Sequence, residues 1–360
     1  MKIGLINNLY KPYNRGGAER IVELMATELR QSGQTVFIIS TKPRTRKDLE
    51  ESGVYYLESS YSDLSKWPYL KRLFWQLGNL VNLKKYHQVS NILKKEQPEL
   101  IISHNLMGLG LLIPLAIKKS SARHIQVLHD IQLLHPSGLM YFGQEKILKS
   151  VMAKIYQRVT AVMFSSQVII VSPSKWLLNL HLSCGLFKKN KKLVIANPFS
   201  DGKPAAARSK SFIFVGQLEY HKGLDLFAAA AARFTDYNFL VVGDGSLKDI
   251  TETSNLKLLG RKNPENVSQL LSDSLALIIP SRCYENSPTV IYEAAAVKTP
   301  VIAANLGGIP ELIERFGGLL FEPDNLDSLI MAITEFIAKG VSSPPLPINE
   351  NYTQKILAQL

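Results

Sequence analysis

The segment from Leu275 to Gly308 reads LALIIPSRCYENSPTVIYEAAAVKTPVIAANLGG and alternates two kinds of structure. It begins with a short apolar run, passes through a polar loop and an alanine-rich stretch of helix length, and returns to a β-branched run at Val301. That order is typical of a buried parallel strand, a crossover helix and the next strand. Two carboxylates, Glu285 and Glu293, stand inside this segment, where packing alone does not require them.

The same alternation continues along the whole chain. It predicts an α/β fold in which parallel strands are buried on both faces and crossover helices lie between them. Strands are predicted at Lys2–Ile6, Thr35–Ile39, Val54–Leu57, Leu100–Ser103, Ile125–Leu128 and Val168–Ser172, and then at Phe212–Val215, Phe239–Val242, Leu256–Leu259, Leu275–Ile279, Val301–Ala303 and Leu319–Phe321. Helices are predicted most clearly at Ala18–Gln31 and Glu145–Phe164, and an alanine-rich helix begins at Gly223.

A linker-like segment separates the two sets of strands. It is NPFSDGKPAAARSKS from Asn197, rich in Pro, Gly, Ser and Ala. We therefore predict a doubly wound first domain over residues 1–198 and a doubly wound second domain over residues 199–340, a division that suits a chain of 360 residues. Residues 341–360 contain a Pro-rich piece and a final helix. One expectation is that this segment packs back on the first domain.

Composition is typical of a folded protein from a reducing compartment. Hydrophobic residues make up 46% and charged residues 20% of the chain. Cys184 and Cys283 have no paired spacing, which argues against a disulfide framework or a zinc site. The opening MKIGLINNLY lacks a signal-peptide pattern, and the longest apolar run, Leu106–Ile117, is too short and too interrupted to span a bilayer. We expect a cytoplasmic protein that does not cross the membrane.

The net charge of +12 is concentrated in the first half. Residues 1–198 carry 28 Lys and Arg against 12 Asp and Glu, a net +16, whereas the rest carry 14 against 18, a net −4. Such a half indicates nucleic acid, an anionic membrane surface or an acidic substrate as partner.

Aromatic and basic side chains are interleaved between Lys66 and Lys95, as in a helix that lies in a membrane interface. The candidate membrane or acceptor contacts are Trp67, Lys71, Arg72, Phe74 and Trp75. The alternative is a long surface helix with an apolar core face and a solvated basic face, and this stretch alone slightly favours that alternative.

Polar residues and glycines follow several strands of the first half, where ligands bind in open α/β sheets. Gly16 and Gly17 stand at the mouth of a helix, whose backbone amides can receive a phosphate. His104 and the pair His129–Asp130 follow two neighbouring strands. One histidine at a strand end is as often structural as functional, but two at neighbouring ends favour a site.

The second half offers a loop with the same position. GQLEYHKG follows the strand at 212–215 and contains Gly216, Gln217 and Lys222. A lysine there can neutralise a diphosphate, although an exposed lysine on a turn is the plain alternative.

The loop after the strand at 275–279 leads into a helix. We predict Ser287 as its N-cap and Pro288 as its first position. The next amides, of Thr289 and Val290, would then be unpaired and able to hold phosphate. Because carboxylates accept paired hydrogen bonds from vicinal hydroxyls, the glutamates on either side can hold a ribose or a hexose.

Several other signatures are missing from the sequence. There is no G-x-x-x-x-G-K-[ST] loop, and VVGDGS has Lys248 where a dinucleotide fingerprint needs its third glycine. There is also no D-x-D pair, which weakens metal-dependent transfer chemistry. We expect no metal and no bound cofactor.

Taken in order, these pieces resemble the family 4 (group 1) glycosyltransferases, which have the GT-B fold. The matching motifs are GGAER from Gly16, HD at His129, VSPSKW from Val171, FVGQLEYHKG from Phe214, and ENSPTVIYE from Glu285 followed by AAAVKTPVIAANLGGIPE. They cover nearly the whole chain. The resemblance implies two Rossmann-like domains facing each other across a cleft, and retaining, metal-independent transfer of a sugar from a nucleoside diphosphate sugar that serves as co-substrate.

The resemblance also implies roles for residues. Gly16 and Gly17 would line the donor diphosphate and the acceptor side. His129 would contact the sugar and help to support positive charge at its anomeric carbon. Lys222 would bind the diphosphate and Glu285 the transferred sugar. The other donor-binding residues implied are Asn197, Gly216, Gln217, Asn286, Ser287, Thr289, Val290 and Glu293, the last of these on the ribose hydroxyls.

One position departs from the family pattern. Gln217 stands where the family usually has an arginine, so stabilisation of the leaving group would rest more on Lys222 and the helix amides. We expect a hexosyl- or related transferase that acts on a lipid-linked saccharide or similar acceptor in cell-surface polysaccharide biosynthesis, at the inner face of the membrane. The alternative is a catalytically silent protein of the same fold that binds a sugar nucleotide or a polyanion. Nucleic-acid binding has no helix-turn-helix, RNA-recognition or zinc signature to support it.

Overall fold

The computed structural model describes residues 1–13, 16–44, 51–199, 202–205, 207–340 and 351–360. The chain forms two compact units. The first comprises Met1–Leu139, Lys146–Ala196 and Asn351–Leu360, and the second comprises Met140–Glu145 and the described residues from 197 to 340. Both are α/β structures with parallel sheets, which confirms the predicted fold class. Residues 341–350 of the predicted C-terminal segment lie outside the described residues.

The first unit is built around one parallel sheet. Its strands are β1 (Lys2–Ile6), β2 (Thr35–Pro43), β3 (Val54–Ser59), β4 (Leu100–Ser103), β5 (Arg123–Val127), β6 (Ile169–Ser172) and β7 (Lys192–Val194). The sheet order is β3-β2-β1-β4-β5-β6-β7, which is a doubly wound arrangement. The helices are α1 (Gly17–Gln31), α2 (Tyr69–Leu80), α3 (Leu83–Glu96), α4 (Ile113–Lys119), α5 (Val151–Met163) and α6 (Lys175–Ser183), with 3-10 helices at Tyr61–Lys66 and Glu145–Lys149.

Burial on both faces explains the continuous apolar runs of these strands. Ile3 of β1 is fully buried and lies between Val36 of β2 and Leu100 of β4. The same pairing aligns the carboxyl ends of the strands. Because β4 and β5 are neighbours in register, Ser103 beside Gln126, the residues that follow them meet at one edge of the sheet.

Three elements differ from the prediction. The long helix expected between residues 66 and 95 is two helices, because Val81 leaves the helical conformation and Asn82 caps the next helix. The helix expected from 145 to 164 is likewise split at Ser150. The side chains of Asn82 and Ser150 each accept a hydrogen bond from the backbone amide three positions later, at 3.0 and 3.2 Å. Strand β7, which begins at Lys192 and pairs with β6, was not predicted.

The second unit repeats the architecture. Its strands are β8 (Ser211–Val215), β9 (Asn238–Val242), β10 (Leu256–Leu258), β11 (Ala276–Ile279), β12 (Val301–Ala304) and β13 (Leu319–Phe321), in the order β10-β9-β8-β11-β12-β13. The helices are α7 (Leu224–Ala231), α8 (Pro264–Asp273), α9 (Thr289–Ala296), α10 (Ile309–Phe316) and α11 (Leu326–Lys339). Tilted and edge-to-face phenylalanine rings pack in its core, with the ring centroids of Phe212 and Phe227 5.3 and 5.1 Å from that of Phe239. Strands β8 and β11 are neighbours, so the loops that follow them share an edge.

A last helix, α12 (Tyr352–Leu357), packs into the first unit. Tyr352 and Ile356 are buried in the same core cluster as Met25 of α1. The hydroxyl of Thr353 donates a hydrogen bond to the carboxylate of Glu28. Residues far apart in the sequence therefore complete one core.

Candidate active site

Lys222 and Glu285 form an ion pair in the second unit. Lys222 ends a 3-10 turn (Tyr220–Lys222) after β8, and Glu285 lies in the loop after β11. Lys222 Nζ donates to Glu285 Oε1 at 2.5 Å, and Ser281 Oγ donates to the same oxygen at 3.0 Å. The sequence singled out both residues but did not predict that they touch.

Both members of this pair are charged. Burial acts to raise the pKa of Glu285, but the adjacent Lys222 ammonium outweighs it and holds the pKa below its usual value. Burial likewise acts to lower the pKa of Lys222, and the Glu285 carboxylate outweighs it and raises the pKa. The side chains keep 25% and 16% of their surface exposed. The site thus presents a cation that can meet phosphate and a carboxylate that can accept hydroxyl hydrogens.

Two glycines allow the backbone to approach closely here. Gly223 has φ +73°, and a Cβ at this position would lie 1.9 Å from Pro280 O. Gly307 has φ +69°, and a Cβ there would lie 2.2 Å from Glu285 O. The next amide, of Gly308, donates to Glu285 O at 2.8 Å. Any side chain at either glycine would push the loop after β11 out of place.

Arg282, in the loop after β11, forms a clamp that holds this loop to helix α7 and to the loop after β13. Its side chain is 9% exposed, and its guanidinium donates to both carboxylate oxygens of Asp225 and, at 2.5 Å, to Asp324. The guanidinium carbon lies 4.4 Å from the ring centroid of Tyr220, and Arg282 N donates to His221 O at 2.9 Å. Burial acts to lower the pKa of Arg282, but the two carboxylates outweigh it and raise the pKa. Sequence reasoning missed this residue, because an arginine in a loop is ordinarily a surface group.

A segment from the middle of the chain backs the same loop within the second unit. Tyr141 forms an isolated antiparallel bridge with Cys283. Tyr284 N donates to Met140 O at 2.9 Å, and the Tyr284 hydroxyl donates to Glu145 Oε1 at 2.6 Å. The loop that carries Glu285 is therefore held on both sides.

Helix α9 begins at Thr289, one residue later than predicted. Pro288 occupies the cap position, and the prediction of Ser287 as N-cap is wrong. The Ser287 hydroxyl is hydrogen-bonded to the Tyr292 hydroxyl at 2.8 Å instead. The amides of Thr289 and the next residue, Val290, still lie in the first turn, where helix amides have no intrahelical acceptor and the helix dipole favours anions.

The remaining donor-site candidates of the second unit surround this helix end and the loop after β8. Asn197 Nδ2 donates to Ser287 O at 3.0 Å, and its Oδ1 is buried with no hydrogen-bond partner in the described part of the chain. Asn286 is buried, and Glu293 lies half-buried on the second turn of α9. Gly216 follows β8 directly, and its amide donates to Val242 O at 3.0 Å, with Gln217 next in the chain.

In the first unit, His104 and His129 are hydrogen-bonded to each other. His104 Nδ1 and His129 Nε2 are 2.8 Å apart, and the rings stack with centroids separated by 5.1 Å. Burial lowers the pKa of His129 to about 4, and burial followed by the neighbouring imidazole lowers that of His104 well below its usual value. Both rings are thus neutral near pH 7. The sequence placed the two histidines at neighbouring strand ends, and the structure shows that they touch.

Asp130 is a buried carboxyl group with a raised pKa. Its carboxylate accepts hydrogen bonds from Gln132 N at 2.7 Å and from Asn105 Nδ2 at 3.2 Å. Burial nevertheless raises its pKa to about 7, and the Glu19 carboxylate of α1 adds to the effect. The sequence placed Asp130 at this strand end but gave no sign of its raised pKa.

Gly16 and Gly17 form the start of α1. Gly17 is its first helical residue, and Gly16 is the cap, with extended backbone. The amide of Gly16 donates to Glu19 Oε2 at 2.9 Å, so the first turn already holds one carboxylate. Residues 14–15, which precede the cap, lie outside the described residues.

The membrane candidates do not all share one face. Lys71 Nζ lies 4.2 Å from the ring centroid of Trp67, and Phe74 is 71% exposed. Arg72 is also exposed. Trp75, however, is half-buried and packs against a tyrosine of the preceding 3-10 helix, with ring centroids 6.4 Å apart. Three of the five candidates, Lys71, Arg72 and Phe74, are therefore exposed to a partner, whereas Trp67 is half-buried like Trp75.

Cys184 and Cys283 are free thiols. Within the ranges that the structure describes, no group of three or more His, Cys, Asp or Glu side chains is arranged to hold a metal ion. Among the described residues, no helix has the length and apolar character needed to cross a bilayer.

Family models match both halves of the chain. The model for glycosyltransferase family 4 matches residues 15–199, and the model for glycosyl transferases group 1 matches residues 198–353. The two matches meet at the junction of the two sets of strands.

Individual proteins are similar over most of the chain. An uncharacterised 42.6 kDa protein in the cps region of Klebsiella pneumoniae is 29% identical over 91% of this chain and 92% of its own. An uncharacterised glycosyltransferase of Methanocaldococcus jannaschii is 31% identical over 78% of this chain and 77% of its own. Anabaena HepE, solved in complex with UDP and glucose, is 20% identical with a TM-score of 0.70, and the match covers 100% of both chains. The chain therefore belongs to the family 4 (group 1) glycosyltransferases and has their GT-B fold.

Proposed function

We propose that this protein transfers a hexosyl or related sugar from a nucleoside diphosphate sugar to an acceptor, with retention and without a metal ion. The ion pair of Lys222 and Glu285 beside the start of α9 is the observation that carries the proposal. Lys222 and the amides of Thr289 and Val290 supply positive potential for a diphosphate. Glu285 and Glu293 supply carboxylates for the hydroxyls of the sugar and the ribose.

The chemistry requires charge to be stabilised at two places. The bond from the anomeric carbon to the diphosphate oxygen breaks, and positive charge grows on the sugar while negative charge grows on the leaving group. Gln217 brings no charge to the leaving group. Stabilisation of the diphosphate therefore rests on Lys222 and the α9 amides. His129 would contact the sugar as a neutral imidazole, which does not repel the developing cation. The acceptor oxygen then attacks from the face that the diphosphate leaves, and its proton passes to the diphosphate.

The acceptor we propose is a lipid-linked saccharide in cell-surface polysaccharide biosynthesis. The Klebsiella relative belongs to a cps region, and the neighbour from Anabaena was solved with UDP, so a UDP-sugar is the first donor to test. The charge of +16 over residues 1–198 and the exposed Lys71, Arg72 and Phe74 support work at an anionic membrane surface, on its cytoplasmic side.

Ligand-induced changes in the melting temperature test the donor site. UDP, GDP, ADP and their sugar conjugates are added to the protein, and a specific nucleotide at a hundredfold excess over its Kd stabilises it by about 2.7 kcal/mol. Lys222→Ala should abolish the shift in melting temperature, because it removes the ammonium group that we propose to bind the diphosphate. Lys257→Ala, at an exposed lysine of β10, is the matched control and should keep the shift.

Turnover tests the chemistry. Lys222→Ala and Glu285→Gln should each lower kcat by about a hundredfold or more, and EDTA should leave the wild type unchanged. Wild-type protein that binds a sugar nucleotide but never releases the nucleotide, with water or any saccharide acceptor, would instead favour the silent binding protein.

A further inference from the structure

Helix α5 carries three uncharged polar side chains on its packed side. The hydroxyl of Tyr156 donates to Gln132 O at 2.7 Å, and Gln157 Nε2 donates to Leu148 O at 3.0 Å. Thr160 Oγ1 donates to the backbone of its own helix at 2.9 Å. All three residues are buried. The inner face of α5 is thus satisfied by hydrogen bonds to backbone carbonyls.

The opposite face of α5 exposes several apolar side chains beside its charged ones. Val151, Ile155 and Val162 are 75%, 50% and 77% exposed, and Met152 beside them is 64% exposed. At 100° per residue, positions 151, 155, 158 and 162 fall on one line along the helix. We call Val151, Ile155, Arg158 and Val162 the outer stripe of α5. Its three aliphatic members lie where a water-facing helix normally has polar residues.

This inverted pattern indicates that the outer stripe meets something apolar. A helix between a protein core and water lowers its free energy by turning its apolar residues inward. Here the sequence does the reverse, with buried Gln157 and Thr160 and exposed Val151 and Val162. Single exposed apolar residues are common on proteins, but three on one line are a patch.

The surroundings of the outer stripe are strongly basic. Lys154 and Arg158 of α5 are exposed, as are Lys146 and Lys149 just before it. Helix α5 itself contains no Asp or Glu. The partner that suits this face is therefore apolar and anionic at once.

We infer that the outer stripe of α5 is a membrane contact, which inserts aliphatic side chains into a bilayer while Lys154 and Arg158 bind anionic lipid headgroups. A protein partner fits less well. The stripe is about 16 Å long and about 10 Å wide, which is far below the ~800 Å² per partner of a stable protein interface. Insertion into lipid needs no such area, because each aliphatic side chain contributes separately. The inference rests on the proposed membrane-surface function and gives it a second point of contact.

Helix α2 has the same pattern on its own surface. Leu70, Phe74 and Leu77 have the spacing of the outer stripe and are 65%, 71% and 45% exposed. Asn79 Oδ1 of α2 accepts from Gly108 N at 2.9 Å, in the segment after β4, whereas α5 is tied to the segment after β5. Because β4 and β5 are neighbours, both helices are attached at one edge of the first unit's sheet. The inference therefore has both helices meet one bilayer, where two linked contacts bind more tightly than either does alone.

Vesicle cosedimentation tests the inference. The full chain is mixed with phosphatidylcholine vesicles that contain phosphatidylglycerol, and with vesicles of phosphatidylcholine alone. The double variant Ile155→Glu, Val162→Glu should lower the partition coefficient on the mixed vesicles about tenfold or more. Met331→Glu, at a residue of α11 that is 72% exposed, is the control and should bind as the wild type does. Melting temperature and nucleotide binding should be unchanged in both, because none of these residues lies at the donor site.

Three outcomes would overturn the inference. Unchanged vesicle binding by the double variant would overturn the inference about α5. If Phe74→Glu then released the protein from the vesicles, the membrane-surface proposal would still hold through α2. Absence of wild-type binding to mixed vesicles would remove both membrane contacts, while turnover of a soluble acceptor would leave the transferase proposal intact. A fall in the mass measured by light scattering, from a wild-type oligomer to a monomeric double variant, would make the stripe a protein interface instead.

Discussion

Replacing Arg282 by alanine should loosen the second unit and its active site together. The guanidinium makes three hydrogen bonds to the carboxylates of Asp225 and Asp324, and a charge-assisted hydrogen bond contributes about 1.5–3 kcal/mol. The two carboxylate side chains are 45% and 49% exposed, so they regain water when the arginine is removed. We therefore expect a loss of about 2–3 kcal/mol, less than for a fully buried pair. At about 2–4 °C per kcal/mol, the melting temperature of this unit should fall by roughly 4–12 °C.

Activity provides the second measurement on the same variant. The clamp joins the turn that carries Lys222 to the loop that carries Glu285, and small displacements of such groups lower kcat about ten- to hundredfold. Arg282→Lys keeps the charge but not the fork, so it should recover part of the melting temperature and of kcat. Arg315→Ala, at an exposed arginine of α10, is the matched control and should change stability by less than about 0.5 kcal/mol. If Arg282→Ala melts and turns over like the Arg315 variant, the clamp has no such role.

Three further predictions concern single features. Gly307→Ala should lower kcat sharply, because its Cβ would lie 2.2 Å from Glu285 O. Gly317, with φ +80° and ψ 166°, has room for a Cβ, so Gly317→Ala should cost only the backbone strain, about 1–3 kcal/mol. Equal effects of the two variants in calorimetry and turnover would contradict this. Acidification from pH 7 to 5 should destabilise the first unit, because burial lowers the pKa values of His129 and His181 to about 4, whereas an unfolded histidine takes up its proton near pH 6.5. Over this range each histidine lowers the free energy of unfolding by about 2 kcal/mol. His181→Phe should make the melting temperature depend less on pH, and a dependence as steep as that of the wild type would count against this prediction. Burial raises the pKa of Asp130 to about 7, above its unfolded value near 4, so this residue stabilises the fold at low pH and the stabilisation is lost as the pH rises through 7. This pH dependence is opposite in sign to that of the histidines. Asp130→Asn should remove it, which is measured as the difference in melting temperature between pH 6 and 8.

The strands could be predicted because burial on both faces leaves a direct record in the sequence. Runs such as LIIS at β4 and VIAA at β12 have only apolar or small residues, whereas every α-helix of the described residues contains at least one charged residue. Helix boundaries were less predictable. Asn82 and Ser150 interrupt periodic helices at a single polar residue, and the same residue types also occur within helices. The three-residue strand β7 is too short to show a period at all.

The site was predictable in position and not in contacts. Position follows from topology, because residues after neighbouring parallel strands must meet at one edge, as Lys222 and Glu285 do. Contacts depend on side-chain geometry that no pattern records. The Ser287 hydroxyl had two suitable partners, the α9 amides and the Tyr292 hydroxyl, and the structure selects the tyrosine. The clamp of Arg282 joins residues 57 and 42 positions away in the chain, which a local motif cannot reveal.

The packing of α12 has a consequence for biosynthesis. Tyr352 and Ile356 belong to the core of the first unit, yet the ribosome adds them only after the whole second unit has been made. The second unit consists of the short piece Met140–Glu145 and of residues that all lie between 197 and 340. It can therefore close its core before α12 is made. We therefore expect the half that is synthesised later to reach its native state first, while the earlier half waits for its last helix.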